Sequence, residues 1–311
     1  MNLSHHVVSH LPFLAAVARR GSFTLAAESL SVSQAAVSYQ IRQLEQKLGL
    51  LLVVRQSGSR IYLTRTGQTL VDEYLHCERR LQLTLESLGS DEPQGSLTMT
   101  VPVDFGSVVM PVVMARLREV APGLKLNLHV SDEVVDLVAN QFDLALRGRS
   151  DTAGLKVRAV ARSRKQLVAS RSYLELHGRP QCIEDLVEHR VLVRDLRNTL
   201  SWEQLLGQEG ELSLNDLPDK TMLGNTFALA ESVRQGLGIA ILPRFVLISE
   251  LQQGLVVPLL AQFNEPLITD FYLAHLPAPQ INRFVRLIEN TLLSVIDNKP
   301  FDSCFAPLRN I

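Results

Sequence analysis

From Leu11 to Leu48 the apolar residues return at helical spacing in successive short runs. Phe13, Leu14 and Val17 share one side of a helix predicted over Leu11 to Arg19, with Pro12 in the first turn, where its missing N–H is tolerated. Leu25, Ala26, Ala27 and Leu30 form the apolar side of a second helix. Ser31-Val32-Ser33 interrupts the pattern, and Ser33 is placed to cap a third helix with inner face Val37, Ile41, Leu44 and Leu48. The opposite face of that helix presents Gln34, Ala35, Ser38, Tyr39 and Arg42. A strand, a Gly/Ser turn at Ser57-Gly58-Ser59 and a return strand from Arg60 to Leu63 come next, a hairpin with Arg55 and Arg60 near its tip. Residues 67–89 then read as one long helix without proline. Its seam of Leu70, Tyr74, Cys77, Leu81, Thr84 and Leu88 steps 4-3-4-3-4, the spacing of a helix that pairs with another helix.

After a hinge-like break, SDEPQG at 90–95, the pattern changes to strands alternating with helices. LTMTVPV (97–103) and LKLNLHV (124–130) alternate with period two, separated by a helix expected from Gly106 to Val120. Asp132 is placed to cap a helix running through Val138, and FDLALRG (142–148) reads as a further strand. A strand near Val191, a helix near Trp202, a helix stop and buried strand in GLGIAILP (236–243), and a closing helix with Phe284, Leu287, Ile288, Leu292 and Val295 continue the series. Such alternation predicts a parallel-rich α/β sheet, and some 200 residues of it predict two subdomains.

Composition changes this picture in two respects. At 311 residues, 46% hydrophobic and 20% charged, the chain is a multidomain globular protein with real cores. The near-zero net charge conceals a split: residues 1–66 carry seven Lys/Arg against two acids, and the remainder 24 against 30. A basic head on an acidic body is the electrostatic footprint of a nucleic-acid-binding domain joined to something that does not bind nucleic acid. No apolar run approaches the roughly 18 residues that span a bilayer, and MNLSHHVVSH lacks the features of a secretory signal. Cys77, Cys182 and Cys304 are widely separated and form no disulfide framework. These absences lead us to expect a cytoplasmic protein. His5, His6 and His10 read as a loose terminal tail and not as a metal site.

The exposed face of the third helix is dressed as a helix must be to lie in a DNA major groove. Gln reads adenine, Arg reads guanine, and Ala can touch a thymine methyl. Arg55 and Arg60 on the hairpin suit sugar-phosphate contact beside the groove, although taken alone the hairpin reads better as ordinary surface.

At this point GSFTLAAESLSVSQAAVSYQIRQLEQKLG, the following R…LTRTG, the G-x-L opening the first body strand, FDLALR, GRPQCIEDLVEHRVL and GLGIAILP together resemble the LysR-type transcriptional regulators over nearly the full chain. Two departures are present: Leu52-Val53-Val54-Arg55 lacks the aromatic usual before the wing, and Ala35 stands where a proline is common. The resemblance implies an α/β fold with a winged helix-turn-helix head over 1–66 (helix-turn-helix from Phe23 to Arg42) and a linker helix and hinge over 67–92. It further implies a two-lobed, periplasmic-binding-protein-like effector module over 93–297, with lobes at 93–161 plus 267–297 and at 162–266, and a tail at 298–311. DNA contact is assigned to Ser33, Gln34, Ala35, Ser38, Tyr39, Arg42, Arg55 and Arg60. Effector contact is assigned to Val103, Asp104, Phe105, Ser107, Arg147, Asn225 and Thr226, with helix N-termini of both lobes pointing into the cleft.

Asp104 opposes a simple dianion unless Arg147 or Arg149 compensates, so the expected effector is polar or zwitterionic; Asp104 also reads as a cap of its own helix. The implied partners are double-stranded promoter DNA, the effector, further copies of the chain as dimer or tetramer, and RNA polymerase. No membrane, cofactor, metal or catalytic residue is implied. Cys77 packs on the seam as a small hydrophobe, and the cysteines do not suit redox sensing. The competing functions are a metabolite-binding protein with an incidental basic head and an α/β enzyme. The second lacks a G-x-S-x-G elbow, a P-loop and an H-E-x-x-H.

Overall fold

The computed structural model describes residues 5–55, 61–87, 94–137, 140, 142–148, 154–194, 200–208, 212–277 and 281–308. These divide into two compact units, Met1–Gly89 with Val135–Gln141, and Ser90–Val134 with Phe142–Ile311.

The first unit begins with a helical turn α1 (His5–Val8) and helices α2 (Leu11–Arg20), α3 (Phe23–Ser29) and α4 (Gln34–Leu48). A two-stranded ribbon, β1 (Val53–Arg55) antiparallel to β2 (Ile61–Leu63), follows, then the long helix α5 (Arg65–Ser87). Leu14, Val17, Ala26, Val37, Ile41, Leu44 and Leu52 fill the core. Leu25, expected on the inner face of α3, is 49% exposed, and Phe23, two residues earlier, is buried instead. The α3–α4 turn is tight enough to put Ser31 at φ 56°, and the Ser33 hydroxyl then caps α4 by accepting from Ala36 N at 3.1 Å. Gly49, with φ 66°, closes the helix in the left-handed conformation.

The seam on α5 serves two ends. Leu70 and Tyr74 pack on the head's own core beside the buried Val71 and Leu75, whereas Cys77 and Leu81, with Leu85 one turn beyond the latter and outside the expected seam, are exposed on the single chain. Cys77 is therefore not packed within the single chain, and the expectation that it packs on a seam between two copies stays a matter of the pairing. The Thr84 side chain, Leu88 and most of the 90–95 break lie outside the described residues.

The second unit holds β3 (Gly95–Val101), α6 (Val103–Val108), α7 (Met110–Val120), β4 (Leu124–Val130), β5 (Leu144–Arg147), β6 (Lys156–Ser170), α8 (Arg171–His177) and β7 (Val191–Arg194). It continues with α9 (Leu200–Leu206), β8 (Lys220–Leu223), α10 (Thr226–Arg234), β9 (Ile239–Pro243), α11 (Ile248–Gln253), β10 (Val256–Pro258), β11 (Ile268–His275) and α12 (Ile281–Ile296). Among the described residues the strand order is β4-β3-β5-β11-β6-β9-β7-β8, with β10 also on β6.

The β3–β4, β3–β5, β7–β8 and β7–β9 pairs are parallel, but β6 and β11 run antiparallel to each other and to β9 and β5, so the sheet is mixed and not simply parallel-rich. Two lobes result, β6 passing from one to the other. The core of the β7–β9 lobe includes Leu167, Tyr173, Leu186, Val193, Trp202, Leu205 and Ile241. In the other lobe, α12 packs on α7 and β6, burying Phe284, Ile288 and Leu292.

Two local expectations fail for identifiable reasons. The helix expected over Gly106–Val120 is two helices, because Pro111 has no N–H to continue a ladder and stands instead in the first turn of α7. The helix expected after Asp132 is absent from the described part of 132–138. The Asp132 carboxylate is occupied elsewhere, accepting from Val103 N at 3.0 Å and pairing with Arg194 at 2.8 Å.

Candidate nucleic-acid interface and effector cleft

In the head, α4 turns Val37, Ile41 and Leu44 into the core and leaves Gln34, Ala35, Tyr39 (56% exposed) and Arg42 outward, with Ser33 exposed at the cap and Ser38 half-buried. Arg42 Nε donates to Ser38 O at 3.3 Å, which lays the guanidinium along the helix surface. Glu45, on the next turn, reaches the wing: its Oε1 accepts from Leu52 N at 2.8 Å and Val53 N at 3.1 Å. The Arg55 side chain, Arg60 and the Ser57-Gly58-Ser59 tip lie outside the described residues.

His10 corrects the expectation of a loose histidine tail. It is buried at the start of α2, with Nδ1 beside Gln40 Oε1 and Nε2 2.8 Å from Lys47 Nζ. Because an ammonium only donates, Nε2 is the acceptor, and the proton sits on Nδ1, donating to Gln40. One imidazole thus ties the front of α2 to two turns of the helix with the exposed polar face. His10→Ala is expected to lower head stability by about 1 kcal/mol through the loss of two hydrogen bonds that join α2 to α4. Thermal unfolding that matches the parent chain would contradict this role.

In the second unit, polar groups from both lobes gather around the ends of β3 and β7. Asp104 is 6% exposed; its carboxylate accepts from Phe105 N at 2.7 Å, and Thr226 Oγ1, from the other lobe, lies 3.4 Å away. Burial raises the Asp104 pKa, opposed first by the Phe105 N–H and then by the Arg194 charge. Lys165, on β6, donates from Nζ to Ser201 Oγ at 2.9 Å. Burial pushes its ammonium down to about 8, with Asp104 acting upward and Arg194 downward. Arg194 and Asp132 pair at 2.8 Å between lobes, both side chains about a quarter exposed. Among the described residues neither Asp104 nor Lys165 is in an ion pair.

The assigned effector residues separate into groups. Thr226 (3% exposed) and Asp104 meet across the lobes. Arg147 is half-buried but already engaged, donating to Thr100 Oγ1 at 2.6 Å, Leu146 O at 2.9 Å and Glu133 O at 3.2 Å, while burial lowers its pKa. Arg149 lies outside the described residues. Asn225 is exposed and caps α10 by accepting from Ala228 N at 2.9 Å. Ser107 is exposed and Val103 half-buried. The Phe105 ring is fully buried among Phe245, Phe271 and Phe305, a packing position and not a lining one.

The helix-terminus expectation changes at α6. Its Val103 and Phe105 N–H groups are taken by Asp132 and Asp104, so the cationic side chains, not those amides, are left to meet an anion. Sequence reading missed Lys165, Arg194, Asp132 and Ser201 as site residues. A usable signal existed for the first, since KVRAVARSRK alternates with the period of a strand.

Comparison with known proteins agrees with this architecture. Residues 8–68 match the family model described as bacterial regulatory helix-turn-helix protein, lysR family, and residues 90–294 match the LysR substrate binding domain. The HTH-type transcriptional regulator CrgA of Neisseria meningitidis serogroup B is 29% identical over 91% of this chain and 94% of its own. The HTH-type transcriptional regulator PtxR of Pseudomonas aeruginosa is 30% identical over 85% of each chain. The solved structure of Neisseria meningitidis CrgA superposes with TM-score 0.60 at 26% identity, covering 93% of this chain and 99% of that one. Full-length LysG of Corynebacterium glutamicum with bound effector Arg superposes at TM-score 0.64 with 23% identity, over 94% and 99% of the two chains, which supports the fold alone.

Proposed function

The chain belongs to the LysR family of bacterial transcriptional regulators, and from that premise we propose that it reads promoter DNA with α4 and is switched by a small polar effector held between its lobes. It is a regulator and not an enzyme. The observation that carries the DNA assignment is the outward polar face of a capped helix on a basic head. Ser33, Gln34, Ala35, Ser38, Tyr39 and Arg42 would enter the major groove, and Arg55 and Arg60 would contact the flanking backbone. The exposed Leu81 and Leu85 on α5 would pair two copies, giving a dimer or tetramer suited to two half-sites, with RNA polymerase as a further partner in the cytoplasm.

For the effector we propose a zwitterion, its cationic group facing Asp104 and its anionic group facing Lys165. This reading rests on a buried carboxyl group and a half-buried lysine of different lobes, neither in an ion pair among the described residues. The relative solved with bound effector Arg holds a ligand that carries both a carboxylate and cationic groups.

A gel-shift assay with the DNA upstream of the protein's own gene tests the DNA reading; no retarded band at low salt, where phosphate contacts are strongest, would refute it. Arg42→Ala is expected to weaken that binding about tenfold, the loss of one base or phosphate contact, with the melting of the head unchanged. Equal affinity at matched salt would remove Arg42 from the interface.

A further inference from the structure

Phe301, Cys304 and Phe305 are buried although they follow the last helix of the chain. Their segment docks on β6, the strand that passes between the lobes. Ser163 stands opposite Phe305 in an antiparallel bridge; Arg164 N donates to Cys304 O at 2.9 Å, and Ala306 N donates to Arg162 O at 2.8 Å. Arg164 Nε adds a third bond, to Phe305 O at 3.2 Å. On this edge β9 pairs β6 only from Lys165 onward, so the segment occupies backbone groups that the sheet itself leaves open. The opposite edge of the same stretch is paired to β11 and braced there by a two-pronged Arg162–Asp270 ion pair, at 2.6 and 3.0 Å.

The Phe305 ring then reaches both lobes. It lies parallel to Phe245, which follows β9, at 5.6 Å and 5°, and edge-on to Phe105 of α6 at 6.1 Å. Phe105 in turn packs on Phe245 at 5.8 Å and on Phe271 of β11 at 4.8 Å. Two adjacencies give this packing a consequence for the cleft. Phe105 follows Asp104 directly and donates its N–H to that carboxylate. Arg164, held by Cys304 O, directly precedes Lys165.

We infer that the C-terminal segment Phe301–Ala306 is a strap whose Phe305 is a positioning residue, fixing Asp104 and Lys165 relative to each other across the two lobes. Its meaning for effector recognition rests on the reading of the cleft given above; the positioning itself does not. A shift of the strap moves the neighbours of both charged groups together, because aromatic rings in a close-packed cluster have discrete arrangements and do not deform continuously.

The experiment uses the full chain and the variants Phe305→Ala and Ala306→Pro, the second removing the N–H that reaches Arg162 while leaving every ring in place. Two quantities are followed: amide hydrogen exchange at Arg164, and the pH profile of reductive methylation of Lys165 by formaldehyde and borohydride, read by mass spectrometry. In both variants Arg164 exchange is expected to rise at least about tenfold as a bonded amide is freed. The Lys165 profile is expected to move upward from its midpoint near 8 by about one unit as the site admits water. The amides of β3 and β7 are expected to keep their protection.

Folded variants with parental exchange and a parental Lys165 profile would overturn the inference. So would exchange rising equally in β3 and β7, which would mean general loosening. If Phe305→Ala does not fold, Ala306→Pro decides alone. Neither readout uses a ligand, so a cleft that binds no zwitterion would sink the effector reading and leave the strap standing.

Discussion

Gly67→Ala is expected to dismantle the wing and, with it, DNA binding. A Cβ added at Gly67 would lie 2.2 Å from Leu52 O and 3.1 Å from Leu52 C, both backbone atoms of a residue that is fully buried. Van der Waals contact between such atoms needs about 3.5 Å, so the start of α5 and the strand entering the wing must separate by roughly 1 Å or more. That separation cannot be local. Leu52 O also accepts from Thr64 N at 2.9 Å, Thr64 Oγ1 accepts from Gly67 N at 3.0 Å and donates to Leu51 O at 2.9 Å, and Glu45 holds Leu52 N from the other side.

One methyl group therefore strains the junction that ties α4, the wing and α5 together. We expect a loss of more than about 3 kcal/mol, in the range of severe overpacking against backbone. For a domain of this size that is a fall in melting temperature of more than about 10 °C. Circular dichroism melting of the full chain checks it, and a head transition within a few degrees of the parent would show that the junction can relax. Gly67→Ser should behave alike, since the clash begins at Cβ.

The same junction shows what the sequence made legible. The helices of the head, the Ser33 cap and the ribbon follow from local periodicity and capping chemistry, which act within one or two turns of chain. The closing helix and the strands at 97–101, 124–130 and 191–194 were visible for the same reason. What was not legible depends on partners far away along the chain. Asp132 looked like a helix cap because its neighbours permit one, but its carboxylate serves Val103 and Arg194, the latter 62 residues on. His10 looked like tail because its partners, Gln40 and Lys47, stand on another helix.

Lys165 was legible as part of a strand but not as a site residue. The stretch from Lys156 to Ser170 reads as polar surface, since Arg158, Arg162 and Arg164 punctuate it, yet it is the longest strand described and joins the lobes. Of the assigned effector residues, Asp104 and Thr226 do meet across the lobes. Phe105 does not line the cleft, because its spacing along α6 turns it into the aromatic cluster under the site.

A zwitterionic effector should bind more weakly as pH rises through about 8, and Lys165 should be the cause. Its pKa is lowered from 10.5 to about 8 by burial, so at neutral pH it is charged but poorly solvated and gains from an anionic partner. Two opposite slopes follow. Without ligand, the unfolded chain holds this proton more tightly than the folded one between about 8 and 10.5, so the effector module gains stability as pH rises through that window.

With an anion seated on the ammonium, binding requires the proton, and affinity falls by up to about tenfold per pH unit once the group titrates. Lys165→Met should abolish the step and cost about 100-fold at pH 7, the scale for truncating one partner of a buried charge pair. Asp104→Asn should remove the preference for zwitterions over dicarboxylates. A thermal-shift screen of the common amino acids and of dicarboxylates, followed by calorimetry of the hits between pH 7 and 9, measures all three. An affinity that stays level across that range in the parent, or a step that survives in Lys165→Met, would take Lys165 out of the binding site. The cleft would then have to recognise its effector through Arg194, by breaking the Arg194–Asp132 pair that now spans the lobes.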